Sequence, residues 1–233
     1  MTEARSGFSV DFGRGLGDEG AALDLAELAE RDIEPRADES TPRYLSAHNQ
    51  RVDRRGGALE NRARLVREVT REVRARTRAG GGTFTVGVRL SPEDFGNAKG
   101  MDLDESVQTA RWLVEDGVDF VHVSLWKAQH NTSKRPEQHA LPIFRAALPT
   151  DVAILVAGSV WTRAEAEDLL ARGADAIALG RSAIVNPDWP LRVADEAWEP
   201  KRPPVTIGEL RERGLGPALA EYMRNWKGFV SAD

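Results

Sequence analysis

The chain has 233 residues, 41% hydrophobic and 30% charged, with a net charge of −5, a composition that supports a packed core and excludes a chain too polar to fold. Zero cysteines exclude disulfides, thiolate metal sites and a cysteine nucleophile, so redox chemistry has to come from a bound cofactor. No apolar run approaches the roughly 18 residues of a membrane span, and the opening MTEARSGFSVDFGRG is not apolar enough for an export signal, so the expectation is a cytoplasmic protein without membrane contact.

The first 40 residues hold 11 Asp/Glu against 4 Arg, a net of −7 that leaves +2 for the rest of the chain. This composition step predicts a divergent acidic segment over 1–40, partly helical or disordered, with one helix at 19–30 and no strand. Eleven arginines follow between Arg43 and Arg78. They alternate with acids and with the helically spaced set Leu59, Ala63, Val66, Val69 and Val73. That pattern is a solvated helix face rather than a nucleic-acid patch, so no nucleic-acid partner is expected.

From Thr83 onward, short apolar runs alternate with amphipathic stretches, the pattern of β/α units in a parallel sheet. The runs are FTVGVRLS (84–91), DFVHVS (119–124), VAILVAGS (152–159) and DAIALGRS (175–182). Between them, Thr162 with Glu165 forms a capping-box signature and Gly173 a stop, while Asp102 with Glu105 and then Gly117 bound another helix. The junctions LVEDGVDFVHVS and LLARGADAIALG align without a gap, which is repetition of one β/α unit. The fold class is therefore α/β of the β/α (TIM) barrel type over 41–200. A complete barrel takes about 250 residues, so the length permits one only barely. A tail over 201–233, opened by a proline-rich connector, is expected to pack on the barrel, with Trp226 and Phe229 as anchors.

The strongest chemical constellation is the last pair of units, ILVAGS and IALGRS. Loops after the last two strands of such barrels commonly hold phosphate. Gly158 and Gly180 let backbone N–H groups approach an anion, Ser159 and Ser182 can donate hydroxyl hydrogen bonds, and Arg181 adds charged donors matched to phosphate oxygens. The alternative is that the glycines only permit tight turns and Arg181 is a surface charge. Arg89, at the end of its run, should face a ligand or pair with a local acid such as Asp94. His122 lies inside DFVHVS and is either a cofactor contact or a hydrogen-bonded core histidine.

The segment RYLSAHNQRVDRRGGALENRARLVREV resembles the stretch of Old Yellow Enzyme type flavin reductases that reads roughly F-L-S-P, N-x-R-x-D-x-Y-G-G-S, E-N-R-x-R. VGVRLSPEDF, DFVHVSLW, AGSVWTRAEAEDLLARGADAIALGRSAIVNPDWP and YMRNWKGF resemble the same family in the same order, over about 43–230. The resemblance implies a barrel holding FMN, reduced by NADH or NADPH, that delivers hydride to an electron-poor alkene such as an enone, a small-molecule substrate. It places Arg89 by the flavin ring, and Gly158, Ser159, Gly180 and Arg181 at the flavin phosphate.

The resemblance covers the C-terminal half only. In the family, four strands precede the N-x-R-x-D segment and supply the carbonyl-binding histidine/asparagine or histidine pair and the tyrosine proton donor. Only 42 residues precede Arg43, and they do not resemble those strands. The catalytic residues are therefore unassigned. His48 and Asn49 lie in the connecting segment and match no catalytic position, Ala47 stands where the family has proline, and Arg55 where it has tyrosine. About four units with open edges predict self-association, homodimer included, and little activity in isolation. Two other readings stay open, a non-catalytic assembly partner with at most a phosphate site, and a non-redox barrel enzyme. The latter needs a lysine or carboxylate at a strand end, and Lys127, Glu93 and Asp94 all fall in loops.

Overall fold

The computed structural model describes residues 7–11, 44–79, 84–93 and 100–231. Five parallel strands form one sheet, β1 (Gly7–Asp11), β2 (Thr85–Leu90), β3 (Phe120–Ser124), β4 (Ala153–Ala157) and β5 (Ala176–Ala178), each beside its neighbour in the chain. Helices carry the chain back between strands: α1 (Leu59–Ala79), α2 (Leu103–Glu115), α3 (Ala140–Ala147) and α4 (Arg163–Ala171). The sequential strand order, without the reversal of a doubly wound sheet, is that of a β/α barrel. Five strands leave it incomplete among the described residues.

The four apolar runs are β2 to β5. Strands β2, β4 and β5 stop before their runs do, because the terminal Ser, Gly and Arg residues leave the ladder and enter loops. The reading of 1–40 as strand-free is corrected by β1, whose Gly7 to Asp11 pair in register with Thr85 to Arg89. GFSVD is short and closed by an acid, a weak strand signal by itself, and pairing with β2 overrides the local preference. The helix expected at 19–30 lies outside the described residues.

Burial alternates along the strands. Val88, Leu90, Val121, Val123, Ile154 and Val156 face the helices and join one core with Leu103, Leu113, Leu141, Phe144 and Leu169. Each such side chain contributes about 1.5–3 kcal/mol on full burial. The opposite face carries Thr85, Arg89, Phe120, His122, Ser124, Leu155 and Ala157, all half-buried. This is the face that would line a closed barrel.

The repeated junctions share one construction. After α2, Gly117 (φ 98°) donates to the Val114 carbonyl and Val118 to that of Leu113; after α4, Gly173 (φ 107°) and Ala174 do the same to Leu170 and Leu169. This is the glycine-terminated helix end that satisfies the last carbonyls. The following aspartate then grips the strand before it. Asp119 donates its N–H to the Val86 carbonyl at 2.7 Å and accepts from the Val86 N–H at 2.8 Å, while Arg74 holds its carboxylate in two bonds. Asp175 repeats this with Ile154 (2.8 and 2.7 Å) and Arg145.

The arginine-rich stretch is structural. Arg62, 4% exposed, joins Glu105 of α2 to the carbonyls of Gly57 and Leu45, and Arg67 and Arg71 share Asp116. Asn49 donates to the Tyr44 and Arg55 carbonyls at 3.0 and 2.7 Å and so closes the segment before α1. Beyond β5 come α5 (Arg181–Val185), α6 (Trp189–Arg192), α7 (Ile207–Glu212) and α8 (Pro217–Tyr222). Val205, Leu210, Ala220, Met223 and Phe229 pack with Trp161 and Val185 in a second core. Phe229 is an anchor at 3% exposure, whereas Trp226 is 49% exposed and is not. It follows the short 3-10 turn at Met223–Asn225, which sends Met223 inward in its place.

Candidate functional site

Parallel strands bring their C-terminal ends to one edge, and four of the five expected ligand residues lie just beyond it. Arg89, His122, Leu155 and Ala176 share one level of the ladder, and Ser124, Ala157 and Ala178 share the last. Gly158 and Ser159 follow β4 directly, and Gly180 and Arg181 open α5 two residues after β5. Arg89, on the open face, donates to Ser124 Oγ at 2.7 Å, which draws its guanidinium across to β3 at the same edge. Asp94, its alternative partner, lies outside the described residues.

Gly158 is required by close approach. A Cβ there would stand 2.8 Å from both the Ala128 nitrogen and the Leu125 oxygen. Ser159 takes a left-handed backbone, φ 57°, uncommon for a residue with a side chain and costing about 1–3 kcal/mol. The chain beyond it is pinned. Glu165 accepts from the Trp161 and Thr162 N–H groups at 2.6 and 2.9 Å in a capping box, and Trp189 Nε1 donates to the Trp161 carbonyl at 2.6 Å. Strain at a residue held from both sides fits a backbone shaped for contact.

Gly180 caps α5 without a side-chain hydrogen bond, and the space where its Cβ would be is open for 4 Å. The first N–H groups of a helix have no partner within it. Arg181 is exposed and in no ion pair among the described residues. Ser182, 2% exposed, has no hydrogen-bond partner for Oγ among the described residues. A buried hydroxyl without a partner is costly, and an anion at this helix start would supply one. Asn186 fixes the far end of α5 by bonding the Ser182 and Lys201 carbonyls and the Lys201 N–H. These observations fit a small anion such as a phosphate group.

The other candidates have structural uses or stand apart. Glu93 accepts from the Ser133 and Lys134 N–H groups and ties two mouth loops together. Lys127 is exposed. His122 is half-buried beside Arg89 on the open face. Sequence reasoning missed His139, which caps α3 and is 7% exposed. Its Nε2 lies 2.7 Å from the Ala128 carbonyl, and the Leu141 N–H donates to Nδ1 at 3.2 Å. Burial holds its pKa below the usual 6.5. The available signal was a polar residue just before ALPIF, where a helix cap belongs.

The family model for the NADH:flavin oxidoreductase / NADH oxidase family matches residues 43–198. The chain is 27% identical over 191 residues to the probable NADH-dependent flavin oxidoreductase YqiG of Bacillus subtilis, covering 80% of this chain and 51% of that protein. It is 33% identical to an NADPH dehydrogenase of Bacillus licheniformis, covering 64% of this chain and 42% of that one. Among solved structures, the Old Yellow Enzyme homologue of Zymomonas mobilis superposes with a TM-score of 0.55 at 28% identity, over 72% of this chain and 46% of that one. Morphinone reductase gives 0.52 at 29% identity, over 72% and 43%. The chain thus spans about half the length of the flavin oxidoreductase YqiG and less of the others. With its parallel β/α units matched to flavoenzyme barrels and more than half its length inside one family model, the chain belongs to the NADH:flavin oxidoreductase / NADH oxidase family.

Proposed function

We propose that this chain carries the flavin phosphate site of an FMN-dependent oxidoreductase that uses NADH or NADPH to reduce an activated alkene. The observation that carries the reading is the mouth of β4 and β5, where Ser159 is strained, α5 starts without a cap, and Arg181 is exposed with no ion pair among the described residues. FMN, when bound, supplies hydride transfer between a nicotinamide and an electron-poor alkene. Gly158, Ser159 and Gly180 would offer backbone donors to the phosphate, Ser182 its hydroxyl, and Arg181 its guanidinium. Arg89, held to Ser124, would present positive charge to the flavin ring.

A second reading is favoured by the half-buried inner face and the sheet of five strands. In it, the chain binds the phosphate group but completes a reactive site only with further strands, from a second copy or another chain. Both readings are tested by titrating purified protein with FMN while measuring its mass in solution. Arg181→Ala should weaken FMN binding by about tenfold or more, the worth of a charge-assisted hydrogen bond. Equal FMN binding by wild type and Arg181→Ala would overturn the phosphate assignment. NADPH oxidation with an enone by the flavin-loaded protein supports the first reading, and flavin binding without turnover supports the second.

A further inference from the structure

The loop between β3 and α3 meets the strand end of the proposed phosphate site through Leu125, whose N–H bonds the Ala157 carbonyl, and through Ala128. Ala128 donates its N–H to the Gly158 carbonyl at 2.8 Å, and its own carbonyl faces His139 Nε2 at 2.7 Å. A carbonyl only accepts, so Nε2 carries the proton; Nδ1 accepts from the Leu141 N–H and is bare. His139 is thus the neutral Nε2–H tautomer, with both ring nitrogens engaged by backbone. In a planar trans peptide the carbonyl and the next N–H point oppositely. The Gly158 carbonyl points toward the loop after β3, so the Ser159 N–H points to the other flank of β4, where β5 leads into Gly180 and α5.

We infer that His139 is a positioning residue for the anion site, holding the Gly158–Ser159 peptide through Ala128 so that the Ser159 N–H faces the start of α5, and that protonation of its ring releases this hold. The inference rests on the phosphate reading above. A proton on Nδ1 would oppose the Leu141 N–H and remove the cap of α3. Burial disfavours the charged ring, the Ala128 carbonyl favours it, and the charges facing it are Arg172 and Asp168, themselves paired at 2.8 Å at the end of α4. Lys127 and His130 of its own loop are exposed.

The test compares FMN with riboflavin, which lacks the phosphate, on wild type, His139→Asn and His139→Gln at about pH 7.5 and about pH 5.5. Asparagine keeps a cap acceptor but is too short to reach Ala128, whereas glutamine can reach Ala128 without titrating. Protonation of the FMN phosphate at about pH 6 lowers affinity in every variant. Wild type should therefore lose more affinity on acidification than His139→Gln, which should match wild type at about pH 7.5, while His139→Asn should be about tenfold weaker at about pH 7.5. Riboflavin binding should not follow these changes, which separates positioning from a general loss of structure. Wild-type FMN affinity in His139→Asn, or an unchanged acid loss in His139→Gln, would overturn the inference. Should wild type treat FMN and riboflavin alike, the phosphate reading fails on its own. The clamp is then read from amide resonances: Ser159 and Ala128 shifts that titrate with the His139 ring uphold it, and unmoved shifts refute it.

Discussion

Gly158 and Ser159 are neighbours with opposite tolerances. A methyl group at Gly158 meets backbone atoms of the β3–α3 loop at 2.8 Å, which neither strand nor loop can yield cheaply. Gly158→Ala should therefore cost about 1–3 kcal/mol, read as a lower urea midpoint. Ser159 already has the conformation that glycine prefers, φ 57°. Ser159→Gly relieves that strain while freeing the unfolded chain, so its net change should stay within about 1 kcal/mol. FMN affinity should stay close to wild type, because the Ser159 N–H proposed to meet the phosphate is kept. His139 adds a pH dependence of stability. Its folded pKa lies below the unfolded value of about 6.5, so the unfolded chain binds the proton more readily. Its contribution is complete above about pH 6.5 and is lost as pH falls through that value toward the folded pKa. Thermal melts of wild type should decline through this window more steeply than those of His139→Gln.

At the level of the elements, the junction aspartates are the repeated fastening of the fold. Asp119 and Asp175 each bond both backbone groups of a buried strand residue, Val86 and Ile154, and each holds an arginine. Removing the carboxylate strands a buried N–H, which costs about 1–3 kcal/mol. Asp119→Ala and Asp175→Ala should therefore lose similar stability in urea, and because they share no partner their losses should add in the double variant. The glycines of these junctions were legible in the chain, since a helix ending in Gly before an apolar run is a local pattern. The aspartate grip was not, because it joins residues 33 and 21 positions apart. In the same way the acidic head concealed β1, whose strand state depends on β2 offering an edge.

For the whole molecule, five parallel strands leave β1 and β5 as edges among the described residues and the inner face half-buried. Parallel sheets are stable when both faces are covered, and uncovered edges pair with other chains. We therefore expect mass in solution to rise with concentration in light scattering, and added FMN to shift that equilibrium if the flavin lies against the inner face. A monomer at all concentrations, with or without flavin, would count against self-association.

The chain by itself determined what is local or periodic: the four apolar runs that became β2 to β5, the capping box at Thr162, the repeated unit ending in glycine, and the ordered phrases that mark the family. Strand alternation and helix caps act within a few residues, so they are written in consecutive sequence. Tertiary structure alone decided what depends on distant backbone: that Gly7–Asp11 joins the sheet, that Ser159 is held left-handed, that Ser182 is buried without a partner among the described residues, and that His139 reaches Gly158 through Ala128. Those properties belong to pairs of segments brought together by packing, and no single stretch of sequence contains them.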